Sequence, residues 1–360
     1  MKMRGHNPEQ GFTLIELIVA MAVGLIVMAA MASLFKTGLN STMLITQRAE
    51  AQQNMRAAID LIVKDISMAG AGLPSGGIQL PSGANSSTSK YACDQNGVCH
   101  VPAFDYPNGN YMYGIIPGYN NGVEANAVIA AAPPPVINDS ITVIYADYNF
   151  PLQEYNITFP TPGDGTSITL TPNPAYVPPP PLITAAGGIQ VGDLIMLSNS
   201  LGTAVGEVTS LNSATIGFAD LDALNMNQNG AATNNIASIS TGANTIAYRL
   251  FAVTYYLTVP GNGQTPRLMR QVNGLSPVPV ADDIINVQFA FDTYDSSAAG
   301  GTLDPNQPNP LGVGESPNLI QKINIVVMGQ SILNNGNKSQ NLYLATSVSA
   351  RNMAFRNRYQ

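Results

Sequence analysis

Glu16 is the side chain whose setting demands most explanation. It heads an apolar run that carries no charged residue from Leu17 to Phe35. A carboxylate at the mouth of a lipid-embedded helix is expensive, so its position or a partner has to compensate it. Two compensations are open. Glu16 can sit at headgroup depth in the first helical turn, where the helix dipole favours a negative charge. Alternatively the chain is cut after Gly11, where the polar leader Met1 to Gln10 gives way to apolar sequence. The new amine on Phe12 would then neutralise Glu16 of the same chain or of a packed neighbour. In the second case the carboxylate sets the register between chains.

Other reactive side chains are sparse. Cys93 and Cys99 are the only two cysteines, and they bracket a stretch in which Asn96-Gly97 supplies a turn. In an oxidising compartment they form a local disulfide. A metal site built from Cys93, Cys99 and His100 is the alternative, and it has no credible fourth ligand nearby. The spacing excludes a redox Cys-x-x-Cys. His6 lies in the leader and His100 beside a cysteine, so neither is placed for Ser-His-Asp or Cys-His catalysis. Phosphate-binding glycine motifs are missing. The adjacent acids Asp282 and Asp283 would point to opposite faces of a strand, which does not suit a glycosidase pair. No enzyme and no cofactor is expected. Nor is a nucleic-acid partner: the net charge is −7 with only 10% charged residues, whereas phosphate binding needs clustered Lys and Arg.

The element that positions Glu16 is a long helix. The charge-free stretch of about 19 residues gives roughly 28 Å, close to a bilayer's hydrocarbon thickness. Lys2 and Arg4 precede it and the next basic residue is Lys36, which places the N-terminus in the cytoplasm and the bulk of the chain outside. An ordinary secretory signal has a shorter apolar core and a cleavage site on its far side. Beyond the span, Met55, Ile59, Ile62 and Ile66 recur at helical spacing, with Arg48, Glu50, Arg56, Asp60, Lys64 and Asp65 largely between them. A helix from Phe12 to Ala69 would be roughly 85 Å long. Gly70-Ala71-Gly72-Leu73-Pro74 ends it. Gly24 and Gly38 inside it serve as hinges or as close-packing positions.

Residues 74–135 read as a long irregular connection. Its stretch Tyr106 to Tyr119 is either a binding surface or an ordinary ordered loop. Strand patterns follow at Ser140 to Tyr145, Asp193 to Leu197, Gly206 to Thr209, Tyr248 to Val259, Arg267 to Arg270, Ile284 to Phe291, Ile323 to Met328 and Leu342 to Ala350. The second and third of these form a hairpin around Asn199-Ser200-Leu201-Gly202. Few charges with abundant Gly, Pro, Asn, Ser and Thr suit a loop-rich β domain.

Gly11-Phe12-Thr13-Leu14-Ile15-Glu16 resembles the prepilin-type signal of type IV pilins and of type II secretion pseudopilins. The resemblance implies cleavage between Gly11 and Phe12 by a prepilin peptidase, N-methylation of Phe12, and a docking role for Glu16. Later segments are similar to the PilW-type minor pilins, relatives of the J-type pseudopilins. They are Arg56 to Leu61 with Asp65-Ile66 and Ala69-Gly70, Asp139 to Val143, Tyr255 to Leu257 with Arg267 and Arg270, Val287 to Asp292, and Ser349 to Asn352. One departure is the segment Asp292-Thr293-Tyr294-Asp295-Ser296, where that family often has alternating aspartates. The missing carboxylates leave a calcium site at Asp292 and Asp295 short of oxygens.

The expected architecture is α+β and type IV pilin-like. Residues 1–11 are a leader, 12–73 a helix with its transmembrane part at 12–35, 74–135 a connection, and 136–360 a β-rich extracytoplasmic head. The function the resemblance implies is that of a minor pilin near the tip of a type IV pilus, priming assembly. A J-type pseudopilin of a type II secretion system and a pilus-associated adhesin are the alternatives. Expected partners are the inner membrane, other minor and major pilins, the prepilin peptidase and the pilus assembly platform. The chain would cross the inner membrane once and then enter the periplasm or an extracellular pilus.

Overall fold

The computed structural model describes residues 11–91, 111–118, 138–258, 266–295, 302–308, 311, 316–331 and 340–353. The helix α1 spans Leu14–Met68. After it come β1 Ile78–Gln79, β2 Tyr111–Met112, β3 Ile115–Gly118, β4 Ser140–Asp147, β5 Tyr155–Thr158, β6 Ser167–Pro172, β7 Leu194–Asn199, β8 Gly202–Glu207 and β9 Ser210–Asn212. The remainder are β10 Thr215–Gly217, β11 Ile246–Thr258, β12 Arg267–Val272, β13 Val278–Asp282, β14 Ile284–Asp295, β15 Thr302–Gln307, β16 Ile320–Ser331 and β17 Gln340–Ser349. A long apolar helix followed by mostly antiparallel sheets is the α+β, type IV pilin-like arrangement expected from the sequence.

The chain forms two compact units, Met1–Glu50 with Ser331–Gln340, and Ala51–Gln330 with Asn341–Gln360. In the first, every residue from Gly11 to Met43 is exposed. Apolar side chains that find no protein to pack against need another apolar medium. Among the described residues this is the one helix long and apolar enough to cross a membrane.

In the second unit α1 changes character. Ala51, Met55, Ala58, Ile59, Ile62 and Ile66 are buried, three or four residues apart, so one stripe of the helix faces a core. Each fully buried Ile is worth about 1.5–3 kcal/mol over its exposed state. The helix stops where glycine allows the chain to turn: Gly70 and Gly72 have φ of +74° and +72°. Gly70 N–H then donates to Ile144 O at 2.9 Å, and Ala146 N–H to Ala71 O at 2.8 Å, which ties the helix end to β4. A Cβ at Gly72 would lie 2.6 Å from that of Ala146, so no larger residue fits there.

Among the described residues the strands form four sheets: β1–β2, β5–β6–β10–β9, β15–β14–β16–β17, and a seven-stranded sheet ordered β13–β12–β11–β4–β3 with β7 and β8 branching from β11. The thirteen-residue β11 organises the largest. One edge pairs with β4 over Arg249 to Tyr255. The other pairs first with β7 over Ile246 to Leu250 and then with β12 over Val253 to Thr258. The expected hairpin is present: Asn199 opposes Gly202 and Leu194 opposes Glu207, leaving Ser200 and Leu201 as a two-residue turn.

Period-two alternation in β7 splits the interior in two. Leu194 and Met196 enter the main core with α1, β4 and β16, while Ile195 and Leu197 enter a second core with Phe150, Ile168, Ile216 and Phe218. Both faces of β7 are covered, hence its unbroken apolar sequence. Where the cores meet, buried Arg249 donates through Nε to Asp147 at 2.8 Å and through Nη1 to Gly188 O at 2.7 Å. Its guanidinium lies over the rings of Phe150 and Phe251. The positive charge enters the interior only because Asp147 and Asp193 accompany it.

Candidate processing and anchoring site

Gly11 and Phe12 precede the first helical turn, and Phe12 is 89% exposed. Nothing lies within 4 Å of a Cβ built at Gly11. Among the described residues, then, the Gly11–Phe12 segment lies outside the helix and uncovered.

Thr13 and Glu16 close the helix start reciprocally. The Thr13 backbone N–H donates to Glu16 Oε2 at 2.9 Å, and the Thr13 hydroxyl donates to the same oxygen at 2.8 Å. Thr13 Oγ1 in turn accepts from the Glu16 N–H at 3.4 Å. This is a capping box, in which the first unpaired amides of a helix are met by side chains of the chain itself. The signature Thr-x-x-Glu stands in the sequence, yet the expectation above attached Glu16 to the dipole or to an amine and overlooked Thr13. The box gives the carboxylate local partners.

Residues 6–32 match the prokaryotic N-terminal methylation motif. No curated protein and no solved structure matches the chain. A methylation motif set on an exposed apolar helix that leads into antiparallel sheets supports a type IV pilin or pseudopilin. The family of that signal is structural rather than catalytic, and the signal implies processing by prepilin peptidase, membrane anchoring and association with pilus machinery.

A second polar centre went unforeseen. Asp65, named above among the charged residues largely between the apolar positions of α1, is 3% exposed. Its carboxylate accepts from Tyr145 Oη at 3.0 Å, from Tyr255 Oη at 2.5 Å and from Arg270 Nε at 2.9 Å. The last turns of the helix are thereby fixed to β4, β11 and β12. Burial and then the Asp65 charge hold both phenols above the ordinary tyrosine range. Burial alone would weaken the charge on Arg270, but hydrogen bonding and attraction to Asp65 outweigh it and hold the guanidinium protonated.

Glu207 at the end of β8 is the third such group. Its Oε2 accepts from Leu224 N–H at 2.7 Å, and its backbone is gripped by Asn227, which accepts from Glu207 N–H at 2.9 Å and donates to Glu207 O at 2.7 Å. Burial, followed by the neighbouring Asp222 carboxylate, pushes Glu207 up to about 8. Asp222 accepts from the Met226 and Asn227 amides.

Asp292 is already occupied by protein groups. It accepts from Asn306 N–H at 2.9 Å and Asn324 Nδ2 at 3.0 Å and pairs with Lys322 at 3.0 Å. Burial would raise its pKa, but these donors outweigh burial and lower it. A lysine at that distance competes with any cation, which argues against the calcium role considered for Asp292 and Asp295. Among the described residues no group of three or more His, Cys, Asp or Glu could hold a metal ion. Cys93 and Cys99, and residues 106–110 and 119 of the stretch Tyr106 to Tyr119, lie outside the described residues, while residues 112–118 of that stretch are buried and present no binding surface.

Proposed function

We propose that this chain is a PilW-type minor pilin, cleaved between Gly11 and Phe12, methylated on Phe12 and built into a type IV pilus at or near its tip to prime assembly. The observation that carries this reading is the methylation motif on a helix that is charge-free from Leu17 to Phe35 and uncovered along that stretch. In a filament, neighbouring helices would replace the bilayer around that surface, and the Phe12 amine of one subunit would meet Glu16 of another. The β part favours a minor role, because a head with two cores is more easily accommodated at a tip than in every repeat. A Cys93–Cys99 disulfide, pinning the connection after the helix, belongs to the same reading, as does passage from the inner membrane to the periplasm and the pilus surface.

Counting copies tests it. Deleting the gene is expected to abolish or sharply reduce piliation, while the protein is present at one or a few copies per filament in sheared pili. Abundance rivalling the principal subunit would contradict the proposal. Intact filaments with lost binding would indicate an adhesin, and intact filaments with lost protein secretion a pseudopilin.

A further inference from the structure

No charged residue stands between Asp164 and Asp193, and that stretch contains the apolar run Tyr176-Val177-Pro178-Pro179-Pro180-Pro181-Leu182 between β6 and β7. The run is largely open to solvent: Val177 is 90% exposed and Leu182 70%. Neighbouring apolar side chains left uncovered on a folded unit mark a place where another molecule docks.

Proline fixes φ at about −65°, and a residue before proline is confined to extended ψ. Pro178, Pro179 and Pro180 each meet both conditions, so the run is a polyproline II segment with three residues per turn. Burial follows that period. Pro180 is buried, so one edge of the three-sided segment rests on the protein, while the other two edges, Pro178 with Pro181 and Pro179 with Leu182, are exposed. Both ends are braced. Asn173 N–H donates to Glu154 O at 3.1 Å and Tyr176 N–H to Asn173 O at 3.2 Å. At the far end the Tyr155 hydroxyl donates to Pro181 O, and Ile183 enters the second core. The shape of this strap is therefore set before anything docks on it, and little conformational entropy is left to lose on contact.

We propose that the strap is a ligand for another protein, one that presents a shallow groove walled by aromatic side chains with phenol or indole donors. Proline-rich polyproline II segments dock in aromatic-lined grooves, and Tyr and Trp combine an apolar face with the hydrogen-bond donor that such a segment lacks. The donor matters here, because prolines have no N–H and the carbonyls of Pro178 and Pro179 accept from no described group. Other occupants match less well. A bilayer would strip water from those carbonyls and return no donor, and the stretch has no Lys or Arg to meet anionic lipid. The same strap of a second copy would bring acceptors against acceptors. The inference rests on the strap alone and is independent of the pilus reading.

The test uses the full chain in its own cells, with an aliphatic diazirine amino acid in place of Leu182. Irradiation is expected to give an adduct with a different protein, and mass spectrometry is expected to find the attachment point among exposed Tyr, Trp or Phe residues of that protein. The attachment point is read on the otherwise unsubstituted chain, so it tests the proposal without any further variant. Pro179→Ala with Pro181→Ala then takes one ring from each exposed edge and leaves buried Pro180 in place. This double substitution is expected to lower the adduct yield about tenfold while the purified chain keeps its thermal unfolding midpoint. Four results would overturn the proposal: no protein adduct, an adduct with lipid or with a second copy, an attachment point remote from aromatic residues, or a yield that the double substitution leaves unchanged.

Discussion

At residue scale the chain is governed by carboxylates placed where water is scarce, and each has a distinct means of compensation. Glu16 is met by Thr13 at the helix mouth, Asp65 by an arginine and two tyrosines, Asp147 by Arg249, and Glu207 by a pKa pushed up to about 8. Only the first of these was open to inspection in the sequence, because Thr13 and Glu16 lie three positions apart. Asp65 and Arg270 are separated by 205 positions, so nothing local in the chain marks them as partners. Removing one member should be costlier than removing both. Asp65→Ala leaves Arg270 and two phenols without their acceptor and is expected to destabilise the protein by about 3 kcal/mol. Asp65→Leu combined with Arg270→Met should come closer to the parent, with denaturant unfolding of the full chain in detergent as the measurement. Glu16→Ala serves a different question. If the carboxylate acts between subunits, the variant is still cleaved and inserted but fails to enter filaments; normal piliation would reduce Glu16 to its capping role.

At the scale of elements, patterns were legible wherever one period persisted. The buried stripe of α1, the glycine stop after Met68 and the hairpin of β7 and β8 all follow from spacing within a few turns or rungs. The strands β5, β6, β9, β10, β13 and β15 were not anticipated. They are three to six residues long, and β13 and β15 contain prolines that argue against strands in general but are tolerated at sheet edges. The connection after the helix was expected to be irregular, and its described part contains β1, β2 and β3. Packing of the 219–229 loop on β8 yields a pH-dependent prediction. Glu207 titrates at about 8 in the folded protein against an ordinary 4.5, so the folded state holds the extra proton between those values. Its contribution to stability is complete below 4.5 and is lost as pH rises through about 8. Thermal unfolding across that range should show stability falling, and Glu207→Gln should flatten the fall by keeping a neutral group at the site. A profile unchanged by the substitution would show that Glu207 is ionised in the folded protein.

For the whole molecule, the N-terminal helix and the sheets divide the work of a filament subunit: an apolar stem to be packed in lipid or among other stems, and a folded β part that the stem carries. The stem was readable because a membrane span and a processing signal are local and compositional. The arrangement of four sheets around two cores was not, since it depends on β11 choosing β4, β7 and β12 as neighbours from distant parts of the chain. Whether the chain is a processed, pilin-like subunit is read from its mature N-terminus, by mass spectrometry in cells with active prepilin peptidase. A terminus at Phe12 bearing one added methyl group is expected, and its loss when Gly11 is replaced by a bulky residue. A mature protein that begins at Met1, with the Gly11–Phe12 bond intact, would contradict it.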